Sequence, residues 1–150
     1  MNAIDILKKD HQQVRQLFSE FMSADDEDFV RREDLFQQID TALIAHSDAE
    51  EQIFYPAIEK HAPDLVKEAM NEHQEVKQLL AEMLDIEVDD EEFESHMTTL
   101  VEKVQGHVQE EEGPDGVLEI ARQKLDQAEL DEMGRRIEQL KRDSAEELAA

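Results

Sequence analysis

The sequence predicts an all-α protein, an antiparallel up-down four-helix bundle with an additional C-terminal helical segment. Three observations predict it. Apolar residues recur every three to four positions along most of the chain. Only four Gly and three Pro are spread over 150 residues, so long stretches have no breaker. Charged residues make up 37% and aromatics 5%, a mix that favours helix over sheet. The length suits one domain, expected over residues 1–150. Within it the pattern predicts pseudo-repeated helical hairpins over 1–62 and 63–125, and a C-terminal helical extension over 126–150.

The first helix is expected from about Ala3 to Met22, with Ile4, Leu7, Val14, Phe18 and Phe21 near one face. The acidic run Asp25-Asp26-Glu27-Asp28 reads as a solvated connection. A second helix from about Val30 to Lys60 carries Leu35, Ile39, Leu43, Ile53 and Ala57. Pro56 lies inside it and should cost a hydrogen bond or bend the helix near Gln52. Pro63 suits the first position of a third helix, which runs to about Ile86 through Val66, Ala69, Val76, Leu80 and Met83. Asp89 or Asp90 can cap a fourth, with Phe93, Met97, Leu100 and Val104. Gly113-Pro114-Asp115-Gly116 ends it, and Asp126-x-x-Glu129 resembles a capping box for a last segment through Leu148. Short links between the four main helices predict antiparallel neighbours.

Composition excludes several functions. The net charge of -25 disfavours nucleic acid and anionic lipid as partners. No apolar run approaches the ~20 residues needed to cross a bilayer, so no membrane role is expected. The absence of cysteine excludes disulfides and thiolate-bound metal or iron–sulfur clusters on this chain. With no basic, apolar leader at Met1–Asp5, the expected location is cytoplasmic.

An internal repeat points to the site. Residues 10–18 read DHQQVRQLF and residues 72–80 read EHQEVKQLL, with five of nine positions identical. His46-x-x-x-Glu50-Glu51 is matched by His107-x-x-x-Glu111-Glu112. His73 follows His11 by 62 residues, and His107 and Glu111 follow His46 and Glu50 by 61. One hairpin, with its His and its His-x-x-x-Glu, therefore occurs twice. Two such hairpins pack naturally about a pseudo-two-fold axis.

Each histidine occupies a position that periodicity assigns to the core. Glu50 and Glu111 lie one turn beyond their histidines on the same face. A buried carboxylate is costly unless it is paired or bound to metal. Four histidines and two glutamates at repeated spacing make metal the simplest compensation. The expected arrangement sets His11 and His46 on one ion and His73 and His107 on the other, with Glu50 and Glu111 bridging. Nitrogen and oxygen donors without sulfur suit iron, manganese or zinc. Glu50 and His73 fall about ten and nine residues from the same turn, hence at similar depth; His11 and His46 match within about one turn.

These residues resemble the hemerythrin-like family, the HHE cation-binding domains. The resemblance rests on Asp10-His11, on His46-x-x-x-Glu50 followed by Ile53-Phe54-Tyr55-Pro56, on Glu72-His73 and on His107-x-x-x-Glu111, in that order along nearly the whole chain. It implies a non-haem di-iron centre of two iron ions that meets oxygen, nitric oxide or peroxide. Oxygen carriers of the family have a further histidine where this chain has Lys77, and end their site with His-x-x-x-x-Asp. Fewer protein ligands leave more open coordination positions, which moves the expected role from carrying oxygen toward sensing, binding or reacting with it. A metal-responsive regulatory or interaction module, suggested by the charged segment Gln127–Leu148, and a peroxide-consuming di-iron enzyme are the alternatives. No protein partner is identified by the sequence.

Other residues receive plainer readings. Glu51, Glu110 and Glu112 flank the expected ligands and read as solvated. Tyr55 could touch the residues that hold the ligands, with packing the favoured reading. His96 lies ~16 Å from His107 along its helix, and His61 sits exposed at a helix end. Met22, Met70, Met83 and Met97 read as core filler.

Overall fold

The computed structural model describes residues 1–149; Ala150, the last residue of the expected C-terminal extension, lies outside the described residues. In chain order the elements are α1 (Ala3–Ser23), α2 (Phe29–Ala49), a π-helical turn (Glu50–Phe54), α3 (Tyr55–Ile58), α4 (Pro63–Leu84), α5 (Glu91–Glu112), α6 (Val117–Lys124) and α7 (Gln127–Ala149). There is no strand among the described residues. The protein is an all-α bundle, as the sequence predicts. No helix is long and apolar enough to cross a membrane among the described residues.

Local chemistry starts each of the long helices. Asn2 and Asp5 cap α1 reciprocally: the Asp5 N–H donates to Asn2 Oδ1 at 2.9 Å and the Asn2 N–H donates to Asp5 Oδ2 at 3.3 Å. Asp28 accepts from the Arg31 N–H at 3.1 Å, so the acidic connection also caps α2. Asp90, one of the two expected caps, accepts from the Glu92 N–H at 2.9 Å. Asp126 accepts from the Glu129 N–H at 2.8 Å and opens α7. Pro63 takes the first turn of α4, where its missing N–H has no cost.

The expected irregularity near Gln52 takes a definite form. The chain stays helical through Pro56, but the turn from Glu50 to Phe54 widens, and the Tyr55 N–H donates to the Glu50 carbonyl five residues back. Five residues on an α-helix lie about 140° apart around the axis. A turn closed from i to i+5 brings them nearer to one face. Glu50 and Tyr55 are both buried in consequence.

α1 packs against α2, and α4 against α5, as two hairpins; α7 lies on α1 and α2. The apolar interior forms two clusters. The far cluster joins Phe18, Phe21, Leu35, Phe36, Ile39, Leu80, Met83, Phe93, Met97 and Leu100. The near cluster joins Ile4, Leu7, Phe54, Tyr55 and Ile58 with Val117, Leu118 and Ala121 of α6 and Leu130, Met133 and Ile137 of α7. The C-terminal segment is thus part of the core. Gly116 makes its first turn possible: a Cβ there would meet the Glu110 carbonyl oxygen at 2.2 Å and that of Glu111 at 2.5 Å.

Met83 and Met97 are buried, but Met22 and Met70 are exposed and correct the reading of all four as core filler. Their helical register places them at the edge of the apolar stripe, which single-helix periodicity does not resolve. His61 is exposed, as expected. His96 stays on the flank of α5, where its Nδ1–H donates to the Glu92 carbonyl at 2.8 Å.

Candidate metal centre

A polar layer separates the two apolar clusters. His11 comes from α1, His46 from the last turn of α2, Glu50 from the start of the π-helical turn, His73 from α4, and His107 and Glu111 from the last turns of α5. All six are buried, Glu50 completely. The structure brings all six together. His11 and His46 meet with their Nε2 atoms 3.2 Å apart, and His73 and His107 do the same at 3.2 Å. The depth of His11 and His46, which the sequence fixes only to a turn, is therefore matched.

The two glutamates span both pairs. Glu50 Oε1 lies 2.9 Å from His46 Nε2 and 3.1 Å from His73 Nε2. Glu111 Oε1 lies 3.3 Å from His11 Nε2, and its Oε2 lies 3.3 Å from His107 Nε2. Two sets of donors converge within 4.8 Å of one another: His11, His46, Glu50 and Glu111, and Glu50, His73 and His107.

A second ring of carboxylates surrounds the histidines, each accepting from one Nδ1. His11 donates to Glu112 at 2.6 Å, His46 to Asp10 at 2.9 Å, His73 to Glu51 at 3.0 Å and His107 to Glu72 at 2.7 Å. With Nδ1 engaged by its carboxylate, each Nε2 faces the middle of the bundle. An imidazole held in this way can offer Nε2 to a metal. Glu112 is exposed and Glu51 half-buried, in keeping with a solvated edge, but each also holds a histidine. They follow Glu50 and Glu111 by one residue, about 100° off the inward face of their own helix, yet a histidine from the neighbouring helix reaches each of them. Asp10 and Glu72 also belong to this ring; the repeated acid–His pair was their trace in the sequence. Tyr55 fits both readings, because it is packed in the core and also reaches the site. Its hydroxyl donates to Glu111 Oε2 at 2.5 Å and lies 3.2 Å from His73 Nε2.

The electrostatics are those of buried opposite charges. Burial disfavours the charge on His46, but Glu50 and Asp10 outweigh it and push its pKa up to about 10. For His107, Glu111 and Glu50 overcome burial and raise it to about 12. Burial likewise opposes ionisation of Glu50, yet His46, His107 and His73 hold it well below the usual carboxylate range. Asp10 is lowered against its burial by His46 and Lys141. The Tyr55 hydroxyl is pushed far upward by burial and by Glu50 and Glu111, which keeps it a proton donor.

The residues fit a bound cation. Glu50 Oε1, Glu50 Oε2 and Glu111 Oε1 are buried and accept no hydrogen bond. Unpartnered buried carboxylate oxygens are costly, and a cation between the histidine pairs would satisfy them.

Comparisons with known proteins agree. A DNA nickase of Nostoc sp. (strain PCC 7120) is 32% identical over 113 residues, covering 75% of this chain and 32% of that protein. The hemerythrin-like protein C869.06c of Schizosaccharomyces pombe is 30% identical over 115 residues, covering 74% of this chain and 56% of that one. The chain thus spans about a third and just over half of the lengths of these curated relatives. The crystal structure of a hemerythrin HHE cation binding domain-containing protein of Mycobacterium kansasii, the Rv2633c homologue, superposes with a TM-score of 0.77. That superposition covers 100% of this chain and 93% of that one at 21% identity, and it shows a shared fold. The family model described as the hemerythrin HHE cation binding domain matches residues 2–115. The chain belongs to the hemerythrin HHE cation-binding family.

Proposed function

We propose that His11, His46, His73, His107, Glu50 and Glu111 hold two iron ions, and that the protein senses, binds or reacts with oxygen, nitric oxide or peroxide through them. One observation carries this reading: four imidazole Nε2 atoms converge on two buried glutamates whose oxygens lack hydrogen-bond partners. His11 and His46 would serve one ion and His73 and His107 the other, with Glu50 and Glu111 shared. Manganese and zinc accept the same donors. When bound, an iron pair supplies redox chemistry toward small oxidants. The chain's own contribution is to exclude water by burial, to fix each imidazole through its outer carboxylate, and to keep a proton on Tyr55 beside Glu111 Oε2.

Lys77 supports a reactive rather than a carrying role. Its ammonium donates to Glu51 at 2.8 Å, outside the ligand layer, where a histidine would add a seventh protein donor. The nicking activity named for the Nostoc relative is not carried over, because a net charge of -25 repels a phosphate backbone.

Anaerobic loading with ferrous iron tests the reading. The expected result is two iron ions per chain, falling to one or none in the Glu50→Ala and His73→Ala variants. Stoichiometry well below two overturns the ion pair. Oxygen evolution from peroxide by the loaded protein, absent in the metal-free form, would identify the enzymatic alternative. A metal-responsive module is favoured by the contact between α7 and the site through Lys141 and Asp10; a melting temperature indifferent to iron and chelator would exclude it.

A further inference from the structure

We propose that Lys141 is a positioning residue for the cation held at His46, and that it couples docking of α7 to loading of the site. The inference rests on the reading of the six residues as metal ligands. Lys141 Nζ donates to Asp10 Oδ1, and Asp10 Oδ2 accepts from His46 Nδ1 at 2.9 Å. The two oxygens of one nearly buried carboxylate are thus divided between a helix outside the ligand set and a ligand imidazole.

The position of α7 is fixed by its own packing. Leu130, Met133 and Ile137 are buried with Ile4 and Leu7 of α1. At Gly134 the backbones approach so closely that a Cβ would lie 2.5 Å from the Met1 carbonyl oxygen. Gly134 and Lys141 are two turns apart on one face, a rise of ~10.5 Å, and Asn2 to Asp10 is a rise of ~12 Å. The two helices therefore run parallel and in step, which delivers Lys141 to Asp10.

The internal repeat does not account for this contact. In the other half of the site Lys77, a repeat residue, holds Glu51, which holds His73. Its repeat counterpart is Arg15, which makes no ion pair among the described residues. The half containing His11 and His46 receives its lysine from α7, beyond the residues 2–115 matched by the family model. Each histidine pair ends up with one carboxylate pinned by an ammonium, by two unrelated routes.

The physical effect is on His46. Asp10 accepts from His46 Nδ1 and so turns Nε2 toward the other donors, and Lys141 holds Asp10 in that orientation. Removing the ammonium leaves a nearly buried carboxylate with one partner fewer. Loss of such outer contacts typically weakens metal binding about 10–100-fold. Coupling is reciprocal, so a cation that binds more tightly when α7 is docked also holds α7 down by the same factor.

The test compares wild type, Lys141→Met and Lys141→Arg. Each metal-free protein is titrated with ferrous iron under argon, and amide exchange over residues 134–141 is followed with and without iron. The expected result is two tight sites in wild type, one of them weakened about tenfold or more in Lys141→Met and largely restored in Lys141→Arg. Iron should slow exchange over 134–141 in wild type and not in Lys141→Met. Unchanged affinity in Lys141→Met, or α7 exchange in wild type that ignores iron, overturns the coupling alone. Wild type that takes up no iron overturns the metal reading itself. Should Lys141→Met not fold, the exchange response of wild type still decides.

Discussion

The Tyr55 hydroxyl donates a 2.5 Å hydrogen bond to Glu111 Oε2, joining the end of the π-helical turn to α5 across the buried layer. Tyr55→Phe removes the donor and leaves the buried Glu111 Oε2 with His107 Nε2 at 3.3 Å as its remaining partner. A hydrogen bond to a charged group contributes about 1.5–3 kcal/mol. The metal-free variant should lose about that much stability in urea unfolding. The loaded variant should show an altered optical spectrum at unchanged metal content. A variant as stable as wild type would show that the contact does not hold Glu111.

Glu50 serves both histidine pairs through one oxygen, at 2.9 Å from His46 and 3.1 Å from His73. On the two-ion reading, Glu50→Ala should lower metal content from two ions per chain to one or none. Glu112→Ala, which removes the hydrogen bond to His11 Nδ1 and no bridging donor, should on the same reading keep the stoichiometry and weaken binding about 10–100-fold. Metal analysis after dialysis separates the two outcomes.

Protons occupy the site when metal does not. His46 and His107 are raised to about 10 and about 12, against about 6.5 in an unfolded chain. A raised folded pKa contributes stability that is complete below about pH 6.5. That contribution declines above this pH and is lost as pH rises through about 10 for His46 and about 12 for His107. Glu50 is lowered, so its contribution is present above its unfolded value and disappears as pH falls through its folded one. The metal-free protein should therefore be less stable at pH 9 than at pH 6.5 in chelator. Metal must displace these protons, so binding at pH 7.5 should release about two per chain, read with a pH indicator in weak buffer. No release would mean that His46 and His107 are neutral before metal arrives.

Gly116 touches the carbonyls of Glu110 and Glu111, and α6 begins there. Gly116→Ala should push the end of α5 away and cost about 1–3 kcal/mol by overpacking. Because Glu111 rides on that end, metal occupancy should fall as well. Phe93→Ala makes a contrast. Phe93 packs edge-on against Phe36, with ring centroids 5.0 Å apart, in the far cluster. Its loss should cost about 3–5 kcal/mol while metal stoichiometry in the folded fraction stays at the wild-type value.

Much of this was legible in the sequence because helical periodicity carries it. The stripes through Leu7, Ile39, Val76 and Leu100 placed the helices, and the histidines on those stripes could be read as inward-facing. The outer ring was not legible in the same way. Glu51 and Glu112 sit off the inward face of their own helices and acquire a role only from histidines on neighbouring ones. For Tyr55 the sequence left packing and a contact with the site both open; the wider turn provides the contact, and Pro56 gave only the hint of an irregularity. Lys141 had no local signal at all. Its partner lies 131 residues away, and the parallel course of α7 along α1 follows from the close approach at Gly134, which no repeat or spacing announces.

The polar layer cuts the apolar interior in two, with Val14 to Val108 on the far side and Ile4 to Ile137 on the near side. Such a division implies two cooperative units rather than one. The near unit, closed by α6 and α7, can breathe and admit solvent to the histidines while the far unit keeps the four long helices in register. Native-state amide exchange should then resolve two opening free energies, with the smaller one over α6, α7 and the start of α1. A single common value would mean that the site opens only when the whole bundle does.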